Sequence, residues 1–395
     1  MDETLIKEVL ERGVERLYPS RQALETALRS GKKLTFYTGF DPSAPSLHIG
    51  NAIQIAKLAQ LQKLGHKIIF LAGDFTGMIG DPTDKAAMRK QLDRQTVKAN
   101  TKQWKKQASA WLSFSGRNAA EFKFNSKWYD NMSVEKFIKL ASNFTIQQMI
   151  VRDMFQERMK QEKPIYVHEF LYPIIQGYDS VVMDVDGEVG GNDQTFNMLA
   201  GRDLLKALKG KEKFVISIKL LADAEGKKMG KTEGNVLNLN ESPENMYGKV
   251  MAWPDNVLSM AFELCTRLSW PEVKKVQERL RDTTLNPRDF KMKLAHEITS
   301  IYHGQKKADA AEEYFVKTFQ KKEMPEDIEE IKVSAKNIID VLVEIKLAPS
   351  KGEARRLIEQ SGIRVNGQIV KDPDHTLSVP SVVQKGKREF RRIIR

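Results

Sequence analysis

The sequence predicts an α/β protein: a parallel sheet covered by helices on both faces, then a helical segment, then a small basic α+β module. Three observations carry this expectation. Short apolar runs rich in β-branched and aromatic residues alternate with helical stretches up to about residue 220. The pattern is helical throughout from Ser242 to about Phe319, and the last 61 residues carry two helices, a hairpin signal and half of the chain's excess positive charge.

The expected strands are "KLTFYTGF", "KIIFLAGDF", "EFKFNSKWY", "SVVMDV" and "FVISIKLL", with helices over 51–64 and 84–112 between them. Farther on, "PENMYGKVMAW", "PEVKKVQERLR" and "PRDFKMKLAHEITSIYH" each open on a proline. Proline suits the first helical position, where the missing N–H has no intrahelical partner to lose. The acidic "KKEMPEDIEE" reads as a linker. After it, "NIIDVLVEIKL" and "SKGEARRLIEQSG" read as helices, and "IRVNGQIV" as a hairpin turning at Asn366-Gly367. The expected domains are residues 1–232, 233–325 and 335–395, with a linker over 326–334.

Composition narrows the function. With 41% hydrophobic and 29% charged residues over 395 positions, the chain has the makeup of a soluble globular protein of two or three domains. No run of about 18 apolar residues occurs, and the start "MDETLIKEVLERG" lacks a basic leader and an apolar core, so neither a membrane span nor a secretory signal is expected. One cysteine, Cys265, cannot form an internal disulfide, which fits a reducing, cytoplasmic setting. The net charge of +12 points to a polyanionic partner. Between 335 and 395, 13 Lys and Arg stand against 7 Asp and Glu, an excess of six.

Two motifs carry chemistry. "LTFYTGFDPSAPSLHIGN", residues 34–51, has the order strand, glycine-containing loop, helix, with which open α/β sheets bind nucleotides at the carboxyl ends of their strands. Gly39 and Gly50 would admit a close ligand, and the helix start near His48 would offer N–H groups to phosphate, with Ser43 and His48 as side-chain donors. "GKKMGKTEGN", residues 226–235, places Lys228 and Lys231 in a glycine-rich loop just after a strand. Such a loop can set ammonium groups against charge developing on a departing pyrophosphate.

HIGN followed by KMGKT resembles the paired signatures of class I aminoacyl-tRNA synthetases. "YTGFDPSAPSLHIGN", "TGMIGDPT" and "GGNDQ" are similar to the bacterial tyrosyl branch of that family, in its order and spacing. The resemblance implies a Rossmann-like catalytic domain, an α-helical domain that meets tRNA, and an S-four-type RNA-binding domain. It also implies a homodimer formed through roughly residues 110–180. The sequence departs from the family pattern at five positions. Asn51 replaces the usual second histidine; Gly230 and Thr232 stand where serines are common; Thr38 stands where some relatives have Cys; and Glu188 stands where many have Gln.

The resemblance also distributes roles. Tyr37 and Asp179 would pair with the phenolic hydroxyl of L-tyrosine, which must not be buried unpaired. Asp81, Tyr172 and Gln176, with Thr76 and Gln194, would hold the rest of the amino acid. Gly39, Asp41, Gly50, Asn51, Gly191, Asp193 and Lys231 would bind ATP, with Mg²⁺ accompanying the nucleotide. His48, Ser43, Lys85, Arg89, Lys228, Lys231 and Thr232 would stabilise the charge that develops on transfer. Lys351, Arg355, Arg356 and Arg364, with the terminal "KGKREFRRIIR", would contact tRNA(Tyr) phosphates. No Cys/His cluster is spaced for a protein-held metal. Two other readings remain open from sequence: an RNA-binding protein that has lost activation, and a nucleotidyltransferase of the related histidine-signature superfamily.

Overall fold

The structure, a computed structural model, describes residues 2–81, 92–222, 236–282, 284–320, 328–386 and 389–394. Lys85, Arg89, Lys228, Lys231 and Thr232 lie outside these residues. Contacts divide the chain into two units, Met1–Ala311 and Glu312–Arg395. The division falls inside the segment 233–325 that the sequence suggested as a separate helical domain.

The first unit is built on six strands: β1 (Val14–Tyr18), β2 (Thr35–Phe40), β3 (Lys67–Ala72), β4 (Glu121–Phe124), β5 (Gly187–Gly191) and β6 (Phe214–Ile218). Their order is β1-β6-β5-β2-β3-β4, parallel throughout except for β1, which runs antiparallel to β6 at the edge. β3 is buried on both faces over Ile68–Ala72, the pattern that helical cover imposes on a parallel strand. The chain reverses direction across the sheet between β2 and β5, so the loops leaving these two strands open a crevice at their carboxyl ends.

Two expectations are corrected. "SVVMDV" is not a strand: it closes the helix Val167–Met183, and the strand is the following "GEVGG". The span 84–112 is not one helix, since its described part breaks into Arg94–Asn100, a 3₁₀ turn over Thr101–Gln103, and Trp104–Ala108. The proline-led helices form as expected, at Pro243–Met251, Trp270–Arg279 and Pro287–His303.

In the second unit, β7 (Glu330–Lys332), β8 (Ile363–Val365), β9 (Gln368–Ile369), β10 (Ser381–Lys385) and β11 (Glu389–Ile394) form a sheet in the order β7-β11-β10-β8-β9. The helices Ile338–Glu344 and Lys351–Glu359 share a core with it around Leu342, Ala354, Ile358, Ile363 and Val383. The hairpin turns at Asn366 (φ 51°) and Gly367 (φ 83°), the paired left-handed residues of a two-residue turn.

Candidate active site

The crevice between β2 and β5 is lined from both strands, from the loops that follow them and from the helix Val167–Met183. Its walls include Tyr37, Gly39, Asp41, Ser43, His48, Gly50, Asn51, Thr76, Asp81, Tyr172, Gln176, Asp179, Asp193 and Gln194. Every described residue expected to bind tyrosine is therefore in one cleft. Of the ATP set, the lining includes all described members except Gly191, whose neighbour Gly190 takes part.

His48 caps the helix Ile49–Lys63. Its Nδ1 accepts from the Gly50 N–H at 3.1 Å, which leaves the ring proton on Nε2, the nitrogen that can donate to phosphate. Gly50 is required beside it, because a Cβ there would stand 2.9 Å from the His48 ring. Asn51, expected to bond a ribose hydroxyl, turns its Oδ1 back to accept from the His48 N–H at 3.0 Å, so only its amide nitrogen keeps that role. A two-way backbone link ties this corner to the chain after residue 235: Ile49 N–H donates to Leu237 O at 2.9 Å and Leu239 N–H to Leu47 O at 2.8 Å. At the other side of residues 223–235, Leu220 and Leu221 line the cleft. Both ends of the segment that carries KMGKT are thus anchored beside His48 and the cleft wall.

The amino-acid end is a buried polar network. Asp179, 2% exposed, accepts from Trp128 Nε1 at 2.9 Å and from Asn125 Nδ2 at 3.4 Å, and its Oδ1 lies 2.9 Å from Tyr129 Oη, whose single hydrogen it shares with Ile175 O. Burial lifts its carboxyl to about 8, against the opposing pull of these donors. The Tyr37 hydroxyl is 2.9 Å from Ser180 Oγ, and burial holds its pKa well above the usual phenol value. Asp41 accepts from Thr76 at 2.6 Å and Tyr172 at 2.7 Å, so this residue, expected among the ATP ligands, is bonded to two from the tyrosine set. Gln194 donates to Asp81 at 2.6 Å, and Gln176 donates to Glu188 at 3.1 Å.

Sequence reasoning missed several members. Asn125, Trp128 and Tyr129 were expected at the end of a strand, whereas β4 stops at Phe124 and a helical turn, Ser126–Tyr129, carries the two aromatic donors to Asp179. The Asn-Ser pair after an apolar run was the available signal for that stop. Ser180 and Lys213 were not expected at all. Glu188, noted only as a departure from pattern, is paired with Lys213 at 2.5 Å in the interior.

Comparison with known proteins gives the family. Residues 29–320 match the family model described as tRNA synthetases class I (W and Y). The chain belongs to that family. Residues 338–383 match the S4 domain model. Tyrosine–tRNA ligase 2 of Clostridium acetobutylicum is 41% identical over 392 residues, covering 98% of this chain and 97% of the relative. The tyrosine–tRNA ligase of Thermotoga maritima is 40% identical over 389 residues, covering 98% and 96%. A C-terminally truncated mitochondrial tyrosyl-tRNA synthetase of Coccidioides posadasii superposes with a TM-score of 0.63 at 26% identity, over 79% of this chain and 92% of that one. This class I synthetase is an aminoacyl-tRNA synthetase by family, with a mixed parallel α/β catalytic fold and a C-terminal S4 module.

The exposed face of that module carries the expected cations. On the helix Lys351–Glu359, Ala354 and Ile358 point into the core while Lys351, Arg355 and Arg356 face out; on β8, Arg364 lies between buried Ile363 and Val365. Two of the four pair with local carboxylates, Lys351 with Asp340 and Arg356 with Glu353, at 2.7 Å each, and Arg364 donates to Gly367 O at 3.2 Å. Arg391 and Arg392 pair with Glu329 and Glu330. Among the described residues, no group of three or more His, Cys, Asp or Glu side chains is placed to hold a metal ion, and no helix is long and apolar enough to cross a membrane.

Proposed function

We propose that this tyrosine–tRNA ligase joins L-tyrosine to ATP in the crevice between β2 and β5 and then passes the tyrosyl group to the terminal adenosine of tRNA(Tyr). The ligase activity rests on family membership and on relatives about 40% identical along nearly the whole chain. In the first step a tyrosine carboxylate oxygen attacks the α-phosphorus of ATP; a new P–O bond forms as the bond to pyrophosphate breaks. In the second, a ribose hydroxyl of the tRNA attacks the tyrosyl carbonyl and AMP leaves.

The observation that carries the pocket assignment is the buried carboxyl of Asp179 facing the same cleft as the Tyr37 hydroxyl. A phenol seated there meets a donor and an acceptor, whereas phenylalanine leaves both unpaired. Tyrosyl-tRNA synthetases are themselves the standard illustration of this effect, rejecting phenylalanine by about 10⁵, a magnitude that belongs to the family at large. Asp81, Tyr172, Gln176, Thr76 and Gln194 would orient the amino-acid backbone; Gly39, Asp41, Gly50, Asn51, Gly191, Asp193 and Lys231 would hold ATP. His48, Ser43, Lys85, Arg89, Lys228, Lys231 and Thr232 would stabilise the charge on the transferring phosphate and leaving pyrophosphate, by positioning and electrostatics with no covalent intermediate on the protein. Mg²⁺ enters as the counter-ion of ATP.

The S4 face, through Lys351, Arg355, Arg356 and Arg364, would grip tRNA phosphates. Between 134 and 167 the first unit exposes Val134, Ile138, Ile146, Val151 and Val167, an apolar surface that supports pairing with a second copy through the 110–180 region. A cytoplasmic location fits the single thiol, Cys265, which is buried and pushed up to about 12. Charging of tRNA with labelled tyrosine, with AMP and pyrophosphate released in equal amounts, tests the whole reading. Release of neither product from folded protein would overturn it.

A further inference from the structure

One buried residue behind the cleft wall, bonded to the wall residue Glu188, has no role in the reaction proposed for the site. Lys213 enters β6 fully buried, and its ammonium group makes two hydrogen bonds, to Glu188 Oε2 at 2.5 Å and to Ser180 Oγ at 2.9 Å. Room for it is specific: a Cβ on Gly201 would stand 2.6 Å from Lys213 Nζ and 2.9 Å from Ser180 Oγ. We infer that Lys213 is a positioning residue that fixes the direction of the hydrogen bonds at both ends of the amino-acid pocket. The inference rests on the tyrosine-binding reading of the cleft.

An ammonium group donates and cannot accept, so Ser180 Oγ must accept from Lys213. Ser180 is wholly buried, and its own hydroxyl hydrogen needs an acceptor. The Tyr37 oxygen, 2.9 Å away, supplies one. Ser180 therefore donates to Tyr37, whose own hydrogen is the one left to donate, to the neighbouring Glu188 carboxylate or to a phenolic oxygen in the cleft that its ring lines. With this polarity Tyr37 presents a donor to a phenolic oxygen, and the Asp179 carboxyl meets the phenol from the other side. Within Asp179, Oδ1 takes the 2.9 Å contacts, while Oδ2 has only the long contact to Asn125, so Oδ2 is the oxygen left to meet the phenol.

The second chain runs through Glu188. Lys213 is paired with this carboxylate in the interior, and a carboxylate accepts only. Its Oε1 therefore demands the amide nitrogen of Gln176, at 3.1 Å. The Gln176 carbonyl oxygen is then the atom left to face a ligand ammonium group. With a neutral amide at 188 in place of the carboxylate, the Gln176 side chain would be able to present either face.

The two chains make different demands on a ligand, so they can be separated. The assay is amino-acid-dependent exchange of labelled pyrophosphate into ATP by the full chain, measured as kcat and KM for tyrosine and for phenylalanine. Ser180→Ala removes only the phenol chain and keeps the ion pair. The expected result is an increase in KM for tyrosine of about 3- to 10-fold, the range of one neutral hydrogen bond, with phenylalanine constants unmoved. The double variant Lys213→Met with Glu188→Gln removes both chains without stranding a buried charge. It should raise KM for both amino acids and lower the preference for tyrosine. Equal effects on tyrosine and phenylalanine in Ser180→Ala, or no effect in either variant, would overturn the positioning role. Absence of tyrosine-dependent exchange in the unsubstituted protein would instead overturn the reading of the cleft itself.

Discussion

The floor of the cleft and the outer face of the S4 module both depend on charged groups, yet they use charge in opposite ways. At and just behind the floor, Glu188 and Lys213 are no more than 3% exposed and are paired with each other. On the S4 face, Lys351, Arg355, Arg356 and Arg364 stand in water, where salt screens them and each local ion pair contributes little. Buried charge suits discrimination, since a wrong ligand leaves a desolvated group unpaired. Exposed charge suits a grip on a polyanion, since many weak contacts add without demanding one geometry.

The difference predicts a graded series of responses. The largest should follow removal of one partner of the buried pair. Glu188→Ala strands the Lys213 ammonium and should lower unfolding free energy by about 3–5 kcal/mol, read by denaturant titration. Substituting an exposed cation such as Arg355 should leave the same titration nearly unchanged. Equal losses at the two positions would break the contrast.

Next comes Asp179. Asp179→Asn keeps the shape but replaces the carboxyl, and should cost tyrosine activation about 10²-fold in kcat/KM, near 3 kcal/mol. The same carboxyl sets a pH dependence. Its folded value of about 8 lies above the ordinary 3.8, so between these values the folded chain holds a proton that the unfolded chain has released. Stability must therefore fall as pH rises through that window. The difference between unsubstituted protein and Asp179→Asn should shrink from pH 4 to pH 8 and then level. Lys57, lowered to about 7 by burial, acts in the opposite sense above neutrality, but equally in both proteins, and cancels.

The smallest effects belong to the S4 face. Arg355→Ala and Arg364→Ala should each reduce the salt dependence of tRNA binding by about 0.7–0.9 in log–log slope while pyrophosphate exchange stays constant. Lys351→Ala and Arg356→Ala should do less, because Asp340 and Glu353 already neutralise them in part.

How much of this was legible before the structure follows the same division. The parallel sheet, the loop 39–51, the proline-led helices and the hairpin at Asn366-Gly367 are local patterns, and local patterns are written in sequence. "SVVMDV" failed as a strand because a short apolar run looks the same whether it ends a buried helix or forms a strand. The true strand, "GEVGG", has three glycines and little side-chain signal, and its identity depends on close neighbours: a Cβ on Gly187 would stand 2.4 Å from the Phe36 ring. β1 was missed because "VERLY" is half exposed and pairs only along one edge.

The site divides likewise. Tyr37, Asp179, Gln176 and His48 were legible because the motifs that carry them are contiguous. Lys213 was not, since "GKEKF" reads as a solvated charge run. Its burial is decided by Gly201 on one helix, Ser180 on another and Glu188 on a neighbouring strand, a convergence that no window of sequence contains.

Pyrophosphate exchange with tyrosine, phenylalanine and tryptophan, in the unsubstituted protein and in Asp179→Ala, tests the central claim most directly. The account predicts exchange with tyrosine alone, and in Asp179→Ala a loss of at least about 10²-fold for tyrosine with the preference over phenylalanine narrowed. Exchange that is equally strong with phenylalanine, or tyrosine exchange untouched by the substitution, would contradict it.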